Sequence, residues 1–218
     1  MSRSISEGTR TKDGYHIDYI SKNEAYSILN DYHYLSVKKL SKDFKSGINF
    51  GLFFGGHKMS DGSYFGGELV GVCIFTGFPV PELSKSMYGL ERDDQEGLFE
   101  LSRLCIHPKF QKIEHNITSW FVSRCLKKMK IKHGAKAVLS YADNDHHEGI
   151  IYKECNFKYY GHTSDKKDFF IEQNDGSFIK HSRGKTKGIK GEWRRRSNKK
   201  RFVITYDKKL KIKWIESK

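Results

Sequence analysis

From Phe99 onward the spacing of apolar residues switches between a two-residue and a helical period, and this alternation outlines the architecture. Phe99, Leu101 and Arg103 alternate with Glu100, Ser102 and Leu104 as a strand does, and Pro108, with no N–H for a ladder, closes the run. Asn116 offers an N-cap to a helix with Ile117, Trp120, Phe121, Leu126 and Met129 on one face, and Gly134 stands where that helix should stop. Ala137–Ser140 is short and apolar, the pattern of a buried parallel strand. A short helix over Glu148–Glu154 carries Tyr152, and Asn156-Phe157 begins the next strand. A strand–helix–strand unit of this length implies a right-handed crossover. The loops Lys109–Asn116 and Tyr141–Glu148 then lie at the carboxyl ends of the strands, the edge where α/β sheets bind ligands.

Upstream, Tyr15–Ile20 alternates as a strand, and Ser21-Lys22-Asn23-Glu24 is a capping box for a helix through about Asp31. Asn49–Phe54 and Glu68–Thr76 predict a long hairpin joined through the glycine-rich Gly55–Gly67. Phe78–Leu98, with Pro79, Pro81 and the acidic Glu91–Glu96, reads as a surface loop. Downstream, Phe169–Ile171 and Ser177–Ile179 flank the turn Asn174-Asp175-Gly176. Phe202–Tyr206 and Lys211–Ile215 predict a closing hairpin. Between them, Lys180–Arg201 is rich in Lys, Arg and Gly, and its self-repelling charge predicts that Lys180–Lys200 is mobile without a partner.

Composition sharpens this outline. With 37% hydrophobic and 14% aromatic residues and only three prolines among 218, the chain is a folded one. Apolar runs such as Leu69–Phe75 are far too short for a membrane span, and no signal peptide opens the sequence. Cys73, Cys105, Cys125 and Cys155 contain no CxxC pair and read as buried, reduced thiols of an intracellular protein. The net charge of +14 is uneven: His162–Lys218 holds 18 Lys and Arg against 7 Asp and Glu, whereas residues 1–161 are nearly balanced. A neutral domain over 1–161 with a basic extension over 162–218 is the electrostatic footprint of a polyanion partner, with nucleic acid the first candidate. Arg183, Lys185, Lys187, Lys190, Arg194, Arg195, Arg196, Lys199 and Lys200 are the cations expected on phosphates.

Several side chains are placed for chemistry. His33 and Tyr34 follow a helix, where an imidazole serves as base or metal ligand and a phenol donates a proton, or where the pair simply satisfies a helix end. Arg103 on a strand needs an anion, either Glu100 or Asp143 or a substrate phosphate or carboxylate. Asp143 ends a strand beside His146 and His147. With His33 it makes a conceivable carboxylate–imidazole set for iron, against which stands an ordinary capping aspartate among exposed histidines.

ELSRL at Glu100–Leu104, NITSWF at Asn116–Phe121, SYAD at Ser140–Asp143 and GIIYKECNFKYYG at Gly149–Gly161 resemble the Mom DNA-modification family of bacteriophages. Asp31–Leu35 and Lys200–Val203 extend the likeness over most of the chain. That family is similar in fold to the GNAT N-acyltransferases. The resemblance implies an α/β (α+β) protein with a central mixed sheet flanked by helices and a basic, β-rich extension packed on the same domain. It implies a transferase acting on double-stranded DNA in the host bacterial cytoplasm, placing a carbamoylmethyl group on the exocyclic amine of adenine and so protecting DNA from restriction endonucleases. His33, Tyr34, Arg103, Asp143 and Tyr152 become the expected catalytic set, Tyr152 as proton donor to the leaving group. Tyr32, Tyr34 and Tyr141 offer rings to stack the flipped base.

One departure bears on the donor. GNAT enzymes that use acetyl-CoA carry a glycine-rich loop at the helix entry, so that backbone N–H groups approach the pyrophosphate. Here Phe110–Asn116 has no glycine, which argues against conventional CoA binding and leaves Asn116, Thr118 and Ser119 as donors to an acyl-CoA or another activated group. Two other functions fit the same residues: a GNAT acyltransferase acting on a small-molecule or protein amine, and a non-catalytic DNA-binding protein on a GNAT scaffold.

Overall fold

The computed structural model describes residues 12–33, 44–181 and 185–217. They fall into two compact units: the described parts of Met1–Leu139 with Ile204–Lys213, and of Ser140–Val203 with Trp214–Lys218. The first contains β1 (Tyr15–Tyr19), α1 (Lys22–Tyr32), β2 (Ile48–Phe54), β3 (His57–Lys58), β4 (Tyr64–Phe65), β5 (Glu68–Gly77), α2 (Glu82–Tyr88), β6 (Leu98–Ile106), α3 (Pro108–Ile113), α4 (Ile117–Lys132) and the start of β7 (Ala137–Asp143). The second contains the rest of β7, α5 (Ile150–Glu154), β8 (Lys158–His162), β9 (Lys167–Glu172), β10 (Phe178–Lys180), β11 (Gly191–Arg195) and most of β12 (Lys199–Thr205). Strand order is β1-β2-β5-β6-β7 in the first unit and β7-β12-β8 in the second, which also holds the sheet β10-β9-β11. Among the described residues no helix is long and apolar enough to cross a membrane.

In the first unit the capping box forms as its spacing requires: the Glu24 N–H donates to Ser21 Oγ at 3.2 Å, and the Ser21 N–H to Glu24 Oε2 at 2.8 Å. α1 buries Ala25, Ile28 and Leu29 in a cluster with Val72, Ile74 and Cys105. A fully buried Leu or Ile contributes about 1.5–3 kcal/mol, so this face holds the helix more firmly than its propensity does. β2, β5 and β6 pair antiparallel, with a register shift between Ile74 and Phe75 opposite β6. α4 buries Ile117, Phe121, Leu126 and Met129 as the periodicity predicts, but Trp120 is only half-buried. All four cysteines are buried thiols outside any disulfide, and burial pushes the Cys105 thiol up to about 12.

Four expectations are corrected. The surface loop Phe78–Leu98 contains α2, a seven-residue helix too short to display a period, closed by Gly89 at φ 76°. The loop Lys109–Asn116 contains most of α3, so Pro108 not only ends a strand but occupies the first helical turn, where its missing N–H costs nothing. The hairpin of Phe202–Tyr206 with Lys211–Ile215 does not form. Instead β12 pairs antiparallel with β8, Phe202 opposite Tyr159, and Lys211–Ile215 has no strand structure. Finally, the basic stretch expected to be mobile includes β11, whose five residues pair with β9. Ladder hydrogen bonds and a Trp193–Phe169 ring contact at 5.3 Å there offset the repulsion of like charges.

Candidate active site

In the second unit the chemistry-bearing residues gather at the carboxyl end of β7. Asp143 is the last residue of that strand, and its carbonyl accepts the N–H groups of His146 (2.9 Å) and His147 (3.0 Å), which turns the chain back on itself. Its carboxylate accepts the Asp145 N–H at 3.2 Å and the hydroxyl of Ser197. Burial alone would push this carboxyl up. The Ser197 and Asp145 hydrogen bonds, with the charges of Lys199 and His146, outweigh it and hold Asp143 below its ordinary value. His147 is half-buried and moves down: burial disfavours its charged form more than the Asp143 carboxylate favours it. The end of β7 thus pairs a firmly ionised carboxylate with an imidazole held neutral. His146 is exposed, as a loop histidine should be.

Tyr152, on α5, is buried among Phe157, Phe202 and His147, with ring separations of 5.6, 5.1 and 6.2 Å. Its hydroxyl donates to the Tyr141 carbonyl at 3.4 Å, so the group is directed back at β7 rather than into water. Gly149 makes this packing possible. It lies at φ 76° directly before α5, and a Cβ there would sit 2.5 Å from Phe202 Cε2 and 2.9 Å from the Ala142 Cβ. Neither Gly149 nor Ser197 was singled out in the sequence. Ser197 lies 54 residues from its partner and carries no local signal, whereas a glycine directly before a short helix was a visible one.

The basic segment is fastened to the same strand end. The Asn144 N–H donates to the Asn198 carbonyl at 3.2 Å, Asn198 Nδ2 to Asp165 at 2.6 Å, and Lys200 Nζ meets the Glu148 carboxylate. Several of the expected phosphate ligands already have acids: Lys190 with Glu172 at 3.0 Å, Arg195 with Asp165 at 3.2 Å, and Arg194 with Glu192. Arg194 also lies over the rings of Phe170 (4.9 Å) and Phe178 (4.3 Å). The Lys199 N–H donates to Thr163 Oγ1 at 3.1 Å. Lys185, Lys187 and Arg196 are exposed and form no ion pair among the described residues. Tyr34 and Arg183 lie outside the described residues.

The remaining candidates belong to the first unit. His33 caps α1, is 5% exposed, and its N–H donates to the Leu29 carbonyl at 3.1 Å. Tyr32 is exposed, with its ring 4.3 Å from that of His107. Arg103 Nη1 donates to the Ser102 carbonyl at 2.6 Å, while its Nε is buried without a hydrogen-bond partner, and no described carboxylate pairs with it. An orphaned guanidinium nitrogen fits a site meant for an anion. Among the described residues no group of three or more His, Cys, Asp or Glu is arranged to hold an ion.

At the entry of α4 the missing glycine has a substitute. Asn116 adopts φ 57°, ψ 22°, the left-handed conformation that asparagine tolerates best after glycine, and its side chain makes no capping hydrogen bond. First-turn N–H groups at a helix N-terminus are ligands for anions, and Thr118 and Ser119 are the first-turn residues that would hold a pyrophosphate here. The Ser119 hydroxyl is directed to the Asn116 carbonyl at 3.2 Å. The donor set fits a CoA pyrophosphate in spite of the sequence departure.

A mixed sheet flanked by helices in this order is the fold of the GNAT N-acetyltransferases. A protein assigned as a phosphinothricin N-acetyltransferase is similar over 89% of this chain and 99% of its own, at 9% identity and a TM-score of 0.50. A GNAT family acetyltransferase from Elizabethkingia anophelis with acetyl-CoA bound is similar over 89% of this chain and 100% of its own, at 14% identity and a TM-score of 0.48. A Bacillus subtilis acetyltransferase in complex with CoA is similar over 88% and 99%, at 15% identity and a TM-score of 0.49. Identities this low speak to the fold alone. No curated protein matches the sequence. The chain belongs to the Mom protein family, whose model matches residues 14–213.

Proposed function

We propose that the protein is a phage DNA-modification transferase that places a carbamoylmethyl group on the exocyclic amine of adenine, protecting the DNA from restriction endonucleases. Membership of the Mom family over residues 14–213 supports the class of reaction. The observation that carries the substrate is the hydrogen bond from Ser197, in the basic segment, to Asp143 at the end of β7: it ties the expected phosphate ligands to the expected catalytic carboxylate. Residues 1–161 are the catalytic part on this reading, and 162–218 the part that meets double-stranded DNA.

The chemistry follows from the adenine amine, whose lone pair is conjugated with the ring and a poor nucleophile. The base leaves the duplex to be reached, and Tyr141, near the end of β7, offers a ring to stack it at about 1–3 kcal/mol per contact. A carboxylate held as low as Asp143 is a weak proton acceptor, but it stabilises positive charge developing on the amine. The neutral imidazole of His147 is the better acceptor for the proton that the amine loses. Tyr152 donates to the leaving group, and Arg103 meets the donor's anionic portion. The new N–C bond forms at the methylene carbon of the carbamoylmethyl group as that carbon's bond to the donor's leaving group breaks; a donor activated in this way would supply the group, its phosphates held by the first-turn residues Thr118 and Ser119 behind Asn116. Expression in bacteria followed by mass spectrometry of the digested DNA nucleosides tests the reading. A deoxyadenosine carrying the added mass is expected, and unmodified nucleosides throughout would overturn it.

A further inference from the structure

The first unit contains a feature that this chemistry does not use. β1, α4 and the turn of the β3–β4 hairpin enclose a cleft of about 550 Å³. One wall is cationic: Arg124, Lys127, Lys128 and Lys132 line it from α4, and Asp18 is the only acid among the lining residues. Lys127 and Lys132 are exposed and pair with no described carboxylate. The other wall is aromatic. Tyr64 stacks on His16 at 4.4 Å and 4°, and Phe53 lies on the far face of the same imidazole at 5.0 Å and 10°. His16 is only 8% exposed, yet its Nδ1 has no hydrogen-bond partner. Trp120 completes the lining, with the Arg124 guanidinium 5.6 Å above its ring.

We propose that this cleft binds a nucleic acid strand, phosphates against the α4 cations and a base against Tyr64 and Trp120. The inference rests on the DNA substrate proposed above and adds a second contact with it. Cations on one side and stacked rings on the other are what a strand requires, because every base has a π-face and every nucleotide a negative charge. Eight residues of helix separate Arg124 from Lys132, a rise of about 12 Å. That length matches about three nucleotides of one strand at about 3.4 Å each.

Fluorescence anisotropy of a labelled duplex, titrated with salt, tests the assignment in the full chain. Lys127→Ala combined with Lys132→Ala should flatten the slope of log affinity against log salt by about 2, at about 0.9 per phosphate contact. Lys45→Ala combined with Lys85→Ala removes two exposed cations that do not line the cleft and lie outside residues 162–218, and should leave the slope unchanged. Equal slopes in the wild type and the cleft variant, or equal flattening in both variants, would overturn the proposal. Saturable binding of ADP that only the cleft variant loses, with an unchanged DNA slope, would overturn it in favour of a free nucleotide. The two readings fail separately: modified deoxyadenosine with an unchanged slope removes the cleft alone, and a flattened slope without modified nucleoside removes the chemistry alone.

Discussion

The hydroxyl of Ser197 donates a hydrogen bond to Oδ1 of Asp143, joining the basic segment to the end of β7 across 54 residues. This contact and the Asp145 N–H offset the burial that would otherwise raise the carboxyl. A carboxyl held below its unfolded value stabilises the fold above that value, and the contribution disappears as pH falls through the folded one. Ser197→Ala should bring Asp143 back up, so acid unfolding followed by circular dichroism should begin at a higher pH than in the wild type. At neutral pH both proteins keep the group ionised, and base modification should fall by less than about tenfold. Asp143→Ala should abolish it. An unchanged acid midpoint in Ser197→Ala would show that the hydroxyl does not set the carboxyl's affinity for protons.

Tyr152→Phe separates a catalytic hydroxyl from a structural one. The variant deprives the Tyr141 carbonyl of its donor at 3.4 Å and should cost about 0.5–1.5 kcal/mol in chemical denaturation. Modification should fall at least about tenfold if the hydroxyl protonates the leaving group. A variant with the stability loss and full activity would leave Tyr152 a packing residue.

Backbone conformation makes opposite predictions at two helix starts. Gly149→Ala forces a Cβ into left-handed backbone and against Phe202, and should destabilise by about 1–3 kcal/mol or more, read as a lower denaturant midpoint. Asn116→Gly keeps the left-handed turn and should lie within about 0.5 kcal/mol of the wild type, while Asn116→Ala should cost about 1 kcal/mol. Calorimetry with CoA should show the same order, Ala weaker than Gly, if the turn aims the α4 amides at a pyrophosphate.

Within the basic segment the cations should not act alike. Arg196 is exposed and forms no ion pair among the described residues, so Arg196→Ala should flatten the salt dependence of duplex binding by about 0.9. Arg194 is held by Glu192 and two phenylalanine rings, so Arg194→Ala should change the slope less and loosen the β10-β9-β11 sheet more. Thermal melts and anisotropy titrations of the two single variants distinguish these roles. Equal slopes would mean that Arg194 leaves its rings to meet phosphate.

Short-range chemistry was enough to mark much of the chain. The Ser21–Glu24 capping box, the alternation through Phe99–Leu104, the apolar face of α4 and the turn at Asn174–Gly176 each depend on residues a few positions apart, so the sequence by itself determined them, and with them the α/β class and the basic asymmetry. Tertiary structure alone decided which distant partners meet. No local pattern says that the hydroxyl for Asp143 comes from Ser197, that β12 pairs with β8 rather than with Lys211–Ile215, or that Arg194 is sandwiched by Phe170 and Phe178. α2 and α3 escaped notice because one or two turns are too short for a period. The left-handed Asn116 escaped because the residue type permits that conformation without requiring it, and only the packing of the surrounding chain selects it.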